Sequence, residues 1–214
     1  MSSINHHLTD ALLMSYASGT LDEGFSIVVA THVSLCDECR ARMESFEAVG
    51  GSLVEDVDSV EMTEDALEAT MALISAAPQF EVERKASGNV LPQPLCDYIG
   101  GDLEDVHWKP VGGGVKQSVL DVVGGAQVRL LSIPGGAAMP DHGHNGLELT
   151  LVLQGAFQDE DDRFGRGDIE VANEDLHHTP IAEAGQDCIC LAATDAPLRF
   201  KGILPRLAQR FVGI

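Results

Sequence analysis

Residues 136–155 read GAAMPDHGHNGLELTLVLQG, and this stretch decides the fold of the second half of the chain. His142 and His144 are two residues apart, so an extended strand directs both side chains to one face. Glu148 has the same parity and can return to that face after an intervening turn. Imidazole and carboxylate ligands suit zinc, iron, manganese, nickel or copper, and these ligand types alone do not identify the metal. The stretch therefore predicts a site for a divalent metal.

The chain around this stretch has a strand-like pattern from residue 95 onward. Short runs of aliphatic and β-branched residues alternate with Gly, Pro and Asp, at residues 128–133, 147–153, 169–171 and 189–191. Such spacing is typical of a β-sandwich or barrel. We expect an all-β domain over residues 95–214.

The spacing Gly136-x5-His142-x-His144-x3-Glu148-x6-Gly155 resembles the first motif of the cupin family without a gap. This resemblance implies an all-β jelly-roll barrel that holds a metal ion. The second cupin motif is a weaker match, since Asn173 and Asp175 stand where the family usually has Pro and Gly.

His178 nevertheless falls in register with the metal-binding histidine of the second cupin motif. The adjacent His177 would point to the opposite face of a strand. The resemblance therefore implies a divalent metal, Zn²⁺ or a transition metal, held by His142, His144, Glu148 and His178.

The first 77 residues have a helical pattern instead. Thr9 can cap a helix that Gly19 stops, and a second helix spans about residues 22–34. A third helix is expected from Cys36 to Gly50-Gly51, and a fourth opens at Thr63. We expect a small helical domain over residues 1–77. Residues 78–94, with several prolines and a charged run, are predicted to be a linker.

Three metal ligands lie within eight residues of the helical part, in the spacing His32-x3-Cys36-x2-Cys39. A helix returns to the same face after four residues, and the two thiolates can then face one ion as the next helix begins. Zn²⁺ accepts such a tetrahedral set of nitrogen and sulfur ligands. Two ordinary helix-junction cysteines, or a redox CxxC, are the alternatives.

The sequence HVSLCDEC at residues 32–39 resembles the zinc-binding motif of bacterial anti-sigma factors. In that family a fourth ligand comes from a histidine near the N-terminus. His7 is the better match because of the segment that follows it, and His6 is then a solvated neighbour, with the reverse assignment left open. The resemblance implies zinc held by His7, His32, Cys36 and Cys39.

A zinc anti-sigma domain followed by a cupin domain resembles the ChrR type of anti-sigma factor over nearly the whole chain. Matching stretches include residues 140–144, 146–155 and 188–195. The resemblance implies a regulator without catalytic activity. Its N-terminal domain would bind an extracytoplasmic-function sigma factor as a heterodimer, and its cupin domain would release that factor in response to singlet oxygen or organic peroxide. The face of the fourth helix with Leu67, Met71 and Ile74 is the best candidate for the sigma contact.

Two other functions compete with this one. A cupin enzyme such as a metal-dependent dioxygenase needs an open coordination position and a substrate cavity. A direct redox switch at Cys36 and Cys39, where disulfide formation ejects zinc, would leave the cupin domain without a role.

A second pair of cysteines, Cys188 and Cys190, lies two apart in a strand-like run and therefore shares one face. The pair is a candidate redox site. As small buried hydrophobes the two residues would only fill the core, and this interpretation is favoured.

Composition excludes some classes of partner. Acidic residues outnumber basic ones 34 to 13, giving a formal charge of −21. Such a surface repels phosphate backbones, so direct binding to nucleic acid is not expected. No apolar run approaches the ~18 residues of a membrane span, and no signal peptide is recognisable. We expect a cytoplasmic protein with no membrane contact.

Overall fold

In the computed structural model of the protein, residues 3–78, 90–197 and 199–200 are described. The N-terminal part is helical, as predicted, and a further helix lies just before the strands. The helices are α1 (Asp10–Ala17), α2 (Glu23–Leu35), α3 (Asp37–Glu55), α4 (Ala66–Ala76) and α5 (Gln93–Ile99).

Local capping interactions set where the first helices begin. The Thr9 hydroxyl accepts a hydrogen bond from the Leu12 amide, as the N-cap residue of α1. Cys36 separates α2 from α3, and its sulfur accepts from the Cys39 amide. The junction therefore uses a cysteine where a helix usually has Ser, Asp or Asn.

The expected end of α3 at Gly50-Gly51 is wrong. The helix continues through both glycines to Glu55. A glycine inside a helix costs about 1 kcal/mol relative to alanine but does not break it. Asp56 closes the last turn by donating its amide to Ser52 at 3.2 Å.

The predicted linker is described only at its ends, because residues 79–89 lie outside the described residues. Its last two residues belong to helix α5, which begins at Gln93. Pro94 is compatible with the first turn of this helix, where a missing amide hydrogen removes no intrahelical bond.

The second half is β-rich, and all its strand pairs are antiparallel. Its strands are β1 (Lys109–Gly112), β2 (Val115–Leu120), β3 (Gln127–Ile133), β4 (His142–Gly143), β5 (Glu148–Gln154), β6 (Ala156–Gln158), β7 (Arg163–Gly165), β8 (Ile169–Ala172), β9 (His177–His178), β10 (Ile181–Ala182), β11 (Cys188–Thr194) and β12 (Arg199–Phe200). Six of them form one sheet in the order β1-β2-β3-β11-β5-β8, and two three-stranded sheets have the orders β10-β6-β7 and β12-β4-β9.

Helix α2 packs directly on the six-stranded sheet, against β3, β5 and β11. Val28 and Val29 are fully buried and belong to the same apolar core as Leu130, Leu149 and Leu191. Because one core extends from the helices into the sheet, burial of apolar surface holds the two halves together.

A glycine permits the closest approach of α2 to the sheet. A Cβ atom added at Gly24 would lie 2.8 Å from Val128 Cγ2 and 2.9 Å from Ala126 Cβ. Beside it, the Asp22 carboxylate accepts a hydrogen bond from the Gly125 amide at 3.0 Å. The first turn of α2 is therefore fitted to the β2–β3 loop. None of the described helices is long and apolar enough to cross a membrane.

Candidate metal centres

The four residues expected to bind zinc lie together in the helical part. His32 is in the last turn of α2, Cys36 is the junction residue and Cys39 is in the first turn of α3. His7 comes from the extended segment before α1, with its Nδ1 3.3 Å from Cys36 Sγ and 3.7 Å from Cys39 Sγ. One ligand atom from each of the four side chains lies within 4.8 Å of the other three. We call this set the helical centre.

The chemistry of the helical centre fits a cation. Both ring nitrogens of His32 are buried without a hydrogen-bond partner, and burial lowers the pKa of this histidine to about 4. His32 is thus held neutral, the form that binds a metal. Burial, aided by the nearby Cys36, raises the pKa of the Cys39 thiol to about 11. A bound cation would stabilise the Cys39 thiolate that burial disfavours.

His6 does not join the helical centre. Its ring packs on Phe164 with the centroids 4.3 Å apart. Its nitrogens lie 3.2 Å from an Asp162 oxygen and 3.5 Å from an Asp168 oxygen. His6 is a neighbour of the helical centre, but it is only partly solvated, with a side chain 22% exposed, because the adjacent β-rich half covers one side of it.

Three histidines converge in the β-rich half, and we call them the β centre. His142 and His178 are directly paired residues on β4 and β9. Their Nε2 atoms are 3.2 Å apart, and the His144 Nε2 atom is 3.3 Å from that of His178. All three residues are buried. His177, which has the opposite parity on β9, is exposed.

Glu148 lies beside the β centre and contacts it through His144. A carboxylate oxygen of Glu148 is 3.4 Å from Nδ1 of His144, whereas the histidine cluster forms at the Nε2 atoms. Burial alone would raise the pKa of Glu148, but the nearby imidazoles, first that of His144, outweigh it and hold the pKa below its usual value. Glu148 is thus an ionised carboxylate beside the three nitrogens, and Thr150 donates a further hydrogen bond to it at 3.0 Å.

Two more carboxylates, which the sequence analysis missed, face the β centre. Glu170 Oε1 and Asp159 Oδ2 lie 3.1 and 3.2 Å from Nδ1 of His178, and both side chains are buried. Burial opposes charging of His178, but Glu170 and Asp159 outweigh it and raise the pKa to about 9. The surroundings therefore favour a cation at this imidazole. The available signal was the acidic residue between Ile169 and Val171 in a strand that is otherwise apolar.

A cavity of about 70 Å³ opens beside the β centre. Its polar lining includes His142, His178 and the buried Arg129, whose guanidinium donates to Gln127 at 2.8 Å. The apolar lining consists of Leu131, Ile133, Met139, Phe157, Pro180, Cys190 and Ala192. A small organic molecule that enters this cavity would contact the imidazoles directly.

Cys188 and Cys190 both point into the apolar interior of the β-rich half. Their sulfur atoms are 3.5 Å apart, and both residues are buried. The hydrogen bond with Cys188 and burial raise the pKa of Cys190 well above its usual value. Thiols that stay protonated react slowly, so the arrangement favours the core role over the redox role.

Comparisons with known proteins define first the class and then the family. Residues 98–197 match the ChrR cupin-like domain, so the β-rich half is a cupin domain. The chain is 58% identical to the anti-sigma-E factor ChrR of Cereibacter sphaeroides over 99% of its own length and the whole of that protein. It also matches a chain in the crystal structure of Rhodobacter sphaeroides SigE in complex with the anti-sigma ChrR, at 59% identity and a TM-score of 0.78, covering 90% of this chain and 100% of the other. The protein belongs to the ChrR family of anti-sigma factors.

Proposed function

We propose that this protein is an anti-sigma factor that binds an extracytoplasmic-function sigma factor through its N-terminal helices as a heterodimer. The observation that carries the proposal is the full-length relationship to an anti-sigma-E factor, together with the match to the complex of ChrR with SigE. Because a sigma factor acts on RNA polymerase, the proposed partner implies a cytoplasmic location.

Exposed apolar residues on α4 and at the end of α3 support a protein partner of this kind. Helix α4 has no buried residue although much of it is apolar. Isolated helices of about 11 residues are marginal in water, so an apolar helix of this kind indicates a binding surface. The exposed apolar residues of this region, which we call the open face, are Val49, Leu53, Val54, Val57, Val60, Met62, Leu67, Met71, Leu73 and Ile74.

We further propose that the helical centre binds Zn²⁺ and completes a zinc-bound bundle over residues 1–77, joined by a linker at residues 78–94 to a jelly-roll cupin over 95–214. The mixed nitrogen and sulfur set of His7, His32, Cys36 and Cys39 is suited to structural zinc. The β centre would hold a divalent metal through His142, His144 and His178, with Glu148 as the fourth ligand after rotation of its side chain.

The cupin domain is proposed to sense an oxidant and to release the sigma factor. The cavity beside the β centre supports this role, because it would bring a small oxidant such as an organic peroxide against the imidazoles. Release requires that oxidation change the relative stability of the bound and free states.

A cupin dioxygenase would use the same cavity, and the presence of a cavity meets one of its requirements. The full-length relative, however, is an anti-sigma factor, a regulator rather than an enzyme. We therefore propose that the cavity admits a signal and does not turn over a substrate.

The test is co-expression with an extracytoplasmic-function sigma factor, followed by co-purification and metal analysis. We expect a 1:1 complex that contains zinc and is lost in the Cys36→Ala/Cys39→Ala variant. The matched control is Cys96→Ala, which changes a buried cysteine outside the helical centre. A folded, zinc-loaded protein that binds no sigma factor would contradict the proposal. Adding an organic peroxide to the complex should then release the sigma factor.

A further inference from the structure

The turn between β7 and β8 contacts the segment that carries His7. One oxygen of the Asp168 carboxylate accepts hydrogen bonds from the backbone amides of Asn5 at 2.6 Å and His6 at 3.0 Å. The other oxygen accepts from the Gly165 amide within the turn, at 2.8 Å. Asp168 is only 3% exposed, so these bonds form away from competing water. A cupin carboxylate therefore holds the two residues that precede a ligand of the helical centre.

Apolar and backbone contacts reinforce this attachment. A Cβ atom added at Gly167 would lie 2.6 Å from Cδ1 of Ile4, so the Ile4 side chain rests directly on the backbone of the turn. The Ile169 amide donates to the His6 carbonyl at 3.4 Å. The turn thus reaches the helical centre at His7, through the three residues that precede this ligand.

Strand β8, which begins directly after this turn, leads to the β centre. Glu170 follows Asp168 by two residues, about 7 Å along a strand, and its carboxylate lies 3.1 Å from Nδ1 of His178. Ile169, the residue between them, is buried in the core that the helices and the sheet share. A single short, packed stretch of chain, 168–170, therefore contacts the surroundings of both candidate metal centres.

We propose that Asp168 is a positioning residue through which the cupin domain couples the two metal centres, an inference that rests on the function proposed above. A change at the β centre moves His178 and the Glu170 carboxylate that holds it. Because 168–170 is one packed segment, that movement changes the hydrogen bonds from Asp168 to Asn5 and His6, and with them the placement of His7. Such coupling is reciprocal, so the helical centre also affects metal binding at the β centre.

The experiment uses the full-length protein loaded with Co²⁺ at both centres. Cobalt bound to thiolates has a charge-transfer absorption band that cobalt bound only to imidazole and carboxylate lacks, so this band reports the helical centre alone. The rate at which a chelator removes the band is measured for wild type, Asp168→Asn, His178→Ala and the double variant. Asp162→Asn is the matched control, because it removes the same charge beside His6 and leaves the backbone hydrogen bonds intact.

We expect Asp168→Asn to accelerate release from the helical centre about tenfold, as the loss of hydrogen bonds to a charged group predicts. Asp162→Asn should stay within about twofold of wild type. His178→Ala should accelerate release in the wild-type background and have little further effect in the Asp168→Asn background, because coupled residues are not additive. Effects that simply multiply, or an Asp168→Asn rate equal to that of Asp162→Asn, would overturn the proposal.

Ile4→Ala provides a second route if Asp168→Asn does not fold. It weakens the same contact from the helical side and leaves the cupin turn unchanged, so it should also accelerate release and reduce the effect of His178→Ala. An unchanged rate and an unchanged effect of His178→Ala in this variant would overturn the proposal. Sigma-factor binding is measured separately on each variant. Absence of binding in the wild type would contradict the proposed function, whereas sigma binding with independent centres would contradict only the coupling.

Discussion

Glu170 and His178 form a carboxylate–imidazole pair, with Glu170 Oε1 3.1 Å from Nδ1 and the opposite ring nitrogen, Nε2, 3.2 Å from that of His142. A histidine that binds a metal through one nitrogen usually donates its other N–H to a carboxylate, which fixes the tautomer and the ring orientation. The pairing directs the lone pair of Nε2 at the other two histidines. We therefore expect Glu170 to orient His178 for the proposed metal instead of binding the ion itself.

Glu170→Gln should weaken metal binding at the β centre by about 10–100-fold, because a neutral amide holds the imidazole less strongly than a carboxylate does. The affinity is measured by competition with a chelator in the full-length protein. Glu174→Gln, the same change at an exposed position four residues further along the chain, should leave the affinity unchanged. Equal affinities for both variants would show that Glu170 has no orienting role.

Substitutions at two glycines should have opposite effects on stability. Gly24→Ala places a Cβ atom 2.8 Å from Val128 and 2.9 Å from Ala126. Overpacking costs about 1–3 kcal/mol, which exceeds the gain of up to about 1 kcal/mol in helix propensity. Gly50→Ala meets nothing within 4 Å and should raise the free energy of unfolding by about 0.5–1 kcal/mol. Denaturant unfolding of the metal-loaded protein measures both, and a shift of the same sign in the two variants would contradict the docking of α2.

The spacing of residues within short stretches of the sequence predicted much of the fold, because helices and strands are recognised from residues a few positions apart. The parity of His142 and His144 and the helical repeat from His32 to Cys36 depend on neighbours a few residues apart. His7 and His178 were assigned only through the resemblance to known families, but the other members of both clusters could be placed from their spacing. The end of α3 could not, because glycine only weakens a helix and the rest of the sequence decides whether the helix continues.

The sequence contains no comparable signal for the contacts that join the helical and the β-rich halves. Asp168 binds the Asn5 amide across 163 residues of sequence. Nothing in the periodicity of either segment indicates that they meet, since side-chain to backbone hydrogen bonds need only one polar residue and any amide. Glu170 was similarly hidden, because a single acidic residue in an apolar strand resembles a solvent-facing position until the opposite face is known.

Zinc affinity of the helical centre should rise with pH. Burial raises the pKa of Cys39 to about 11, so below that pH the metal-free thiol is protonated and zinc must displace its proton. The pKa of His32 is about 4, so this ligand releases no proton between pH 6 and 8. Zinc should therefore bind more tightly at higher pH, with at least one proton released per ion. Calorimetry in buffers of different ionisation enthalpy measures the number of protons released. Cys96→Ala should not change it, and a pH-independent affinity would contradict the thiolate assignment.

The open face can be tested on α4 alone. Leu67, Met71 and Ile74 recur at helical spacing and are 53–75% exposed, so they form one apolar stripe. Met71→Asp/Ile74→Asp should raise the Kd for the sigma factor by at least about thirtyfold, since buried apolar contacts at interface centres are worth about 2 kcal/mol or more. It should leave unfolding of the free protein unchanged, because neither side chain is buried there. Ala72→Asp adds a charge to an exposed position of the same helix that faces away from this stripe and from Leu73, and this variant should bind almost normally. Equal weakening by both variants would mean that charge, and not the apolar stripe, governs the interaction.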